Sequence, residues 1–204
     1  MRGLLPLVAF FATLPICAWL VAQSASRVSA IALLYGAGLL ALFGVSALYH
    51  RRDWSPAGYE WMRKIDHLTI FVFIAASYTP IGLFGVGGAR GVWLVRGFWT
   101  FVVLGALQIF FWPRAPRGLR SALYIAMGWM GVFAIAPLAQ HLGWLPPAML
   151  VGGGLLYTLG AVIYTRRRPD PVPHIFGYHE VFHALVVVAC GMLFVCIHAC
   201  LAVG

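Results

Sequence analysis

Tyr178-His179-Glu180-Val181-Phe182-His183 leads directly into an apolar run, 184–203, that contains no Asp, Glu, Lys or Arg. About 20 apolar residues are enough to cross the hydrocarbon core of a bilayer, so this stretch predicts a membrane-spanning helix. His179 and His183 are four residues apart, which places both imidazoles on one helix face, roughly 6 Å from each other. That spacing suits a shared metal ion. A metal site here would need further ligands from other helices at the same depth.

The same apolar pattern recurs along the whole chain. Its 204 residues are 62% hydrophobic and 9% charged, whereas soluble domains carry about 25% charged residues. The sequence therefore predicts one all-α domain, 1–204, folded as a bundle of seven transmembrane helices. The predicted spans are about 4–21, 31–49, 66–83, 92–112, 121–139, 147–164 and 177–203. Segment 51–64 is predicted as a loop, and Pro80 predicts a local kink in the third span.

The basic residues alternate between the two ends of these spans. Of the 14 basic residues, eleven lie at the N-terminus or after spans two, four and six: Arg2, Arg51, Arg52, Arg63, Lys64, Arg114, Arg117, Arg120, Arg166, Arg167 and Arg168. Basic loops mark the cytoplasmic face, so the N-terminus is predicted inside and the C-terminus outside, in the inner (plasma) membrane. The net charge of +9 is divided among these short clusters, which suit anionic membrane lipids, and nucleic acid is not expected as a partner.

Polar side chains from three spans converge at the predicted cytoplasmic side. His50 ends span two, Asp66 begins span three, and His179 and His183 lie in the first turns of span seven. Ser46 is one helical turn deeper than His50 on the same face. Ionisable groups in membrane spans are costly and usually functional. The sequence therefore predicts a site built from these five side chains.

The donor set indicates which ion would bind. Three neutral imidazoles suit zinc and leave a fourth tetrahedral position for water. Asp66 would then contact the bound water or act as general base, and Ser46 would hold the water or a substrate oxygen. Taken singly, each residue has a plainer interpretation: His50 as an interface residue, Asp66 as a helix N-cap, and Ser46 bonded to its own helix. The remaining histidines, His67, His141, His174 and His198, have no such neighbours in the predicted topology.

The segment from His179 to His183 also fits the HExxH pattern of zinc proteases, in which the glutamate is the base. An intramembrane protease would need a third ligand, often an Asp in a later helix, and no acid follows His183. Glu180 points about 100° away from His179 on a helix. The protease interpretation is therefore the weaker one, and the role of Glu180 is left open.

Four segments together resemble one known family. Ser46-Ala-Leu-Tyr-His50, Lys64-Ile-Asp66-His67, Ser77-Tyr78-Thr79-Pro80 and Phe176-Gly-Tyr-His179-Glu-Val-Phe-His183 are similar in order and spacing to the bacterial hemolysin III family. That family groups with the progestin and adipoQ receptors (PAQR) and, more distantly, with alkaline ceramidases. The resemblance implies a seven-helix bundle with a cytoplasmic N-terminus. It also implies zinc bound by His50, His179 and His183, with Asp66 at the zinc-bound water and Ser46 in the same polar cluster.

These expectations lead to three functional hypotheses. The first is a zinc-dependent, ceramidase-like hydrolase of a lipid amide or ester, whose substrate enters sideways from the bilayer. The second is a non-enzymatic receptor-like or membrane-homeostasis protein in which zinc is structural. The third, a pore-forming cytolysin as the family name suggests, is the weakest, because the sequence contains no amphipathic pore-forming segment.

Overall fold

The computed structural model describes residues 3–172 and 175–204. Arg2 and His174, both named above, lie outside this part of the chain. Within the described residues, eight α-helices follow one another: α1 (Leu4–Gln23), α2 (Ser29–Arg51), α3 (Pro56–Pro80), α4 (Gly88–Phe111), α5 (Arg117–Trp129), α6 (Val132–Leu142), α7 (Leu145–Arg166) and α8 (Tyr178–Ala202). In the described residues they make seven apolar segments long enough to cross a membrane, since α5 and α6 together form one of them. The prediction of an all-α, seven-helix membrane protein is confirmed.

The helices pack in chain order around α3. Helix α1 packs on α2, α2 on α3, α3 on α4 and α7 on α8, and α8 returns to contact α1. Helix α3 also contacts α5 and α8. Of its most apolar window, 67% is buried inside the protein, compared with 22% for the corresponding windows of α1, α4 and α7. Helix α3 is therefore the central helix of the bundle, and it carries Asp66 into the interior.

The predicted kink at Pro80 takes the form of a π-helical segment, Ile81–Val86, that continues α3. Pro80 has no N–H to donate to the preceding turn, so the α-helical hydrogen-bond pattern cannot continue through it unchanged. The Gly87 N–H instead donates to the Gly82 carbonyl oxygen at 2.9 Å. A Cβ atom on Gly91 of α4 would lie 1.9 Å from the same Gly82 oxygen. The widened turn thus packs against α4 through backbone alone.

One local prediction was wrong, and one predicted span is interrupted. Segment 51–64 is mostly helical, because α3 begins at Pro56, where the Ser55 side chain caps the helix by accepting the Gly58 N–H at 3.2 Å. Proline at the first helical position and serine at the N-cap both favour a helix start here. Span five is not one helix, because a turn at residues 130–131 separates α5 from α6. The Tyr78 hydroxyl donates to the Gly128 carbonyl oxygen beside this break at 2.8 Å.

Candidate metal centre

Three imidazoles meet at one end of the bundle. His50 lies in the last turn of α2, while His179 and His183 lie in the first two turns of α8. The Nε2 atom of His179 is 3.2 Å from Nε2 of His50 and 3.0 Å from Nε2 of His183. One ligand atom from each residue lies within 4.8 Å of the other two. The structure thus brings together the three histidines that the sequence predicted as metal ligands.

The geometry of these nitrogens suits a bound metal ion. A neutral imidazole nitrogen carries either one hydrogen or one lone pair, so His179 Nε2 cannot make a linear hydrogen bond to both neighbours at once. Three lone pairs directed at one point satisfy all the contacts. A tetrahedral zinc ion with bonds of about 2.0–2.1 Å would hold its nitrogen ligands about 3.3 Å apart. The observed separations of 3.0 and 3.2 Å are close to that value.

The start of α8 is fixed by two acidic side chains. Glu180 Oε2 accepts the Gly177 N–H at 3.0 Å, and Asp170 Oδ1 accepts the Tyr178 N–H at 2.9 Å. The first N–H groups of a helix lack partners within the helix, and these two bonds satisfy them. The Glu180 carboxylate therefore caps the first turn of α8. The HExxH interpretation, which needs this carboxylate as a base, is weakened accordingly.

Asp66 and Ser46 line the same cavity as the three histidines. Asp66 lies within α3, ten residues after its first residue, so it is not the N-cap of that helix. Ser46 is buried on α2, one turn from His50, and its hydroxyl lies next to the Asp66 carboxyl group. Helices α2, α3 and α8 therefore present all five predicted site residues to one cavity.

That cavity has a volume of about 620 Å³, within the range of small-molecule sites. Its end near the histidines is polar. Away from them its walls include the apolar side chains of Phe73, Leu150 and Leu193. Such a shape would hold a molecule with a polar group at the imidazoles and a long apolar part beneath.

Several cavity residues were not predicted from the sequence. Among them are Tyr49, Tyr124, Tyr164, Arg63 and Arg120. The Tyr164 ring centroid is 5.8 Å from that of His179, and the Tyr124 hydroxyl donates to the His67 carbonyl oxygen at 3.0 Å. Tyrosines and arginines near the ends of membrane helices are common as interface anchors. The sequence therefore contains no signal that separates these five from ordinary anchors.

The other described histidines lie in three different places. His67, for which the sequence gave no support, also lines the cavity. His141 contacts the Gly85 carbonyl oxygen through Nδ1 at 3.0 Å, beside the π-helical segment. His198 stacks on Trp19 of α1 with ring centroids 5.4 Å apart. His141 and His198 are thus separate from the three-histidine cluster.

Comparison with known proteins gives consistent matches over most of the chain. A sequence profile described as Haemolysin-III related matches residues 3–194. "Hemolysin-3" of Bacillus cereus is 30% identical over 163 residues, which cover 80% of this chain and 71% of that protein. "Hemolysin-3 homolog" of Bacillus subtilis (strain 168) is 27% identical over 164 residues, covering 80% and 74%. Human "Monocyte to macrophage differentiation factor" is 26% identical over 166 residues, covering 76% of this chain and 64% of that protein.

Proposed function

The chain belongs to the hemolysin III family, within the wider PAQR group, and from this premise we propose that it is a zinc-dependent hydrolase of lipid amide or ester bonds, located in the inner membrane. The observation that carries the proposal is the shared cavity. Three histidine nitrogens able to hold one metal ion lie at its polar end together with Asp66 and Ser46. The remainder of the cavity has the size and the apolar walls that a lipid chain requires.

Each residue would have a defined part in the reaction. His50, His179 and His183 would hold the ion, and bound zinc would supply Lewis acidity toward a carbonyl oxygen and activate water. The Asp66 carboxylate would take the proton of the attacking water and pass it to the departing amine or alcohol. Ser46 would orient Asp66. Water adds to the acyl carbon and the bond to nitrogen or oxygen breaks, which leaves a fatty acid and an amine or alcohol.

The substrate would be a membrane lipid that enters the cavity sideways from the bilayer. Its scissile carbonyl would lie at the histidines, and its acyl chain would run past Phe73 toward Leu193. Burial of each methylene group stabilises binding by about 0.8 kcal/mol, so a long chain would position the carbonyl by its own apolar contacts. A ceramide or another N-acyl lipid fits this description, as does an ester of similar shape.

The test combines metal analysis with a lipid panel. The purified protein should contain about one zinc ion per chain and should release fatty acid from at least one ceramide, N-acyl amide or ester. The variants His179→Ala and His183→Ala should lose both metal and hydrolysis, whereas His198→Ala, on the same helix but outside the cluster, should retain both. Metal retention in both cluster variants would remove the basis of the proposal.

A structural role for zinc is the second candidate function, and one observation favours it. The cluster connects His50 with His179, which are 129 residues apart in the chain, and so a bound ion would tie α2 to α8. In a receptor-like or membrane-homeostasis protein, chelation should lower the melting temperature, because a ligand that binds only the folded state stabilises it. The enzyme would show the same shift, so only hydrolysis of the lipid panel separates the two functions.

A further inference from the structure

A second, smaller feature adjoins the cavity where α3 meets the end of α4 and the start of α5. A narrow groove there, called the α3–α4 groove below, is lined by Arg63, Lys64, His67, Ile109, Pro113 and Arg120. Three of these six side chains are permanent cations. The groove lies at the same end of the bundle as the histidine cluster, because Arg63, His67 and Arg120 also line the cavity.

The positive charge of the groove is only partly compensated. The Arg63 guanidinium pairs with the Glu60 carboxylate of the same helix. Among the described residues, neither Lys64 nor Arg120 has a carboxylate within 4 Å, and the Arg120 Nε donates to the neutral Gln108 side chain at 3.4 Å. Two cations of the groove therefore lack a carboxylate partner among the described residues.

The surroundings of Lys64 fit the depth of lipid head groups. Its Nζ lies 5.0 Å from the centroid of the Trp61 ring and 5.8 Å from that of Phe110. Trp61 is 56% exposed, and Ile65 and Phe110 are also exposed. Tryptophan collects at the boundary between head groups and acyl chains. The apolar surface made by Trp61, Ile65 and Phe110 thus begins where the cationic groove ends.

We propose that the α3–α4 groove binds the phosphate of an anionic phospholipid from the surrounding leaflet, with the acyl chains lying on Trp61, Ile65 and Phe110. Basic pockets between membrane helices are established sites for such head groups. Inorganic phosphate could contact the cations but would leave the adjoining apolar surface uncovered. A phospholipid fits both the cationic groove and the apolar surface. The groove shares Arg63, His67, Pro113 and Arg120 with the cavity wall, but its test measures lipid retention and not hydrolysis, so the two proposals can fail separately.

Native mass spectrometry of the full chain in detergent tests the proposal. Phosphatidylglycerol and phosphatidylcholine with identical acyl chains are titrated separately, and phosphatidylglycerol should be retained more strongly. Each cation that contacts an anionic head group contributes about fivefold to its binding. Lys64→Gln should therefore weaken phosphatidylglycerol retention about fivefold, and Lys64→Gln/Arg120→Gln roughly 20-fold.

The control is Arg166→Gln/Arg168→Gln, which removes two exposed cations at the same end of the protein but outside the groove. This variant should bind phosphatidylglycerol like the parent. An equal loss in the control would show a diffuse charge effect and overturn the proposal. Equal retention of the two lipids would overturn it as well, and so would displacement of phosphatidylglycerol by millimolar inorganic phosphate.

Discussion

Glu180 lies between two metal-ligand histidine candidates in sequence, yet its carboxylate is directed at the backbone. Its bond to the Gly177 N–H holds the first turn of α8, which carries His179. A Cβ on Gly177 would displace the Asp170 carboxylate, which accepts the Tyr178 N–H. The position of His179 therefore depends on Glu180 and Asp170, which lie outside the three-histidine cluster.

Substitutions at Glu180 should separate capping from catalysis. Glu180→Ala removes the acceptor and should lower the free energy of unfolding by about 1–2 kcal/mol, the usual cost of a lost cap. Glu180→Gln keeps an oxygen that can accept the Gly177 N–H, so its thermal melting and metal content should stay close to those of the parent. A Glu180→Gln variant that melts normally but has lost all hydrolysis would instead identify Glu180 as the base.

Asp66 should behave differently from the histidines. Asp66→Asn keeps the shape of the side chain but removes the proton acceptor, so hydrolysis should fall by about 10²- to 10⁴-fold while metal content is unchanged. Asp53→Asn, an exposed acid in the short α2–α3 connection, is the matched control and should retain activity. Loss of metal from Asp66→Asn would show that Asp66 is itself a ligand.

The residues of the site differ in how far the sequence could predict them. His50, His179, His183, Asp66 and Ser46 were predicted because spacing within a helix and depth in the membrane are readable from the chain. Tyr124 and Tyr164 were not, because their place in the cavity depends on how α5 and α7 pack against α3 and α8. His67 was set aside because the predicted topology gave it no polar neighbours, yet it lines the cavity.

The π-helical segment and α4 meet backbone to backbone at a pair of glycines, Gly82 and Gly91. A Cβ on Gly91 would lie 1.9 Å from the Gly82 carbonyl oxygen and 2.9 Å from its carbon. Neither atom belongs to a side chain that can rotate away. The two segments would have to separate to accept even a methyl group.

Gly91→Ala should therefore destabilise the protein by about 1–3 kcal/mol, the usual cost of overpacking. Gly191→Ala on α8 is the control, because a Cβ there would have nothing within 4 Å and alanine is the better helix former. Thermal melting in detergent should show a lower transition for Gly91→Ala alone. Equal melting temperatures for the two variants would mean that α4 moves freely away from Gly82.

At the level of elements, the apolar runs predicted the seven segments but not their ends. Glu60, Arg63 and Lys64 made segment 51–64 look like a loop, whereas the Arg63–Glu60 ion pair joins neighbouring positions of a helix that extends beyond the apolar core. The break in span five has no charge or proline at residues 130–131 to mark it. Gly131 lies in the break, and the Tyr78 hydroxyl of α3 donates to the Gly128 carbonyl oxygen beside it. A contact of that range is not visible in local sequence.

Both candidate sites, the histidine cluster and the α3–α4 groove, lie at one end of the molecule. The histidine cluster, the α3–α4 groove and the cations Arg63, Arg120 and Arg167 all lie at or beside the mouth of the cavity. A shared end means that one membrane face would supply water, protons and head groups to both sites. The distribution of basic residues predicts that this face is the cytoplasmic one.

Reporter fusions should settle the orientation. Seven spans place the two termini on opposite faces, so alkaline phosphatase fused after Gly204 should be active if the C-terminus is outside, whereas green fluorescent protein there should be dark. Fusions within the α4–α5 connection, at residues 112–116, should give the reverse pattern, because basic connections stay in the cytoplasm. Fluorescence from the C-terminal fusion would show the opposite orientation, with His50, His179 and His183 at the outer face. Their ion would then come from outside the cell, and the α3–α4 groove would face the outer leaflet.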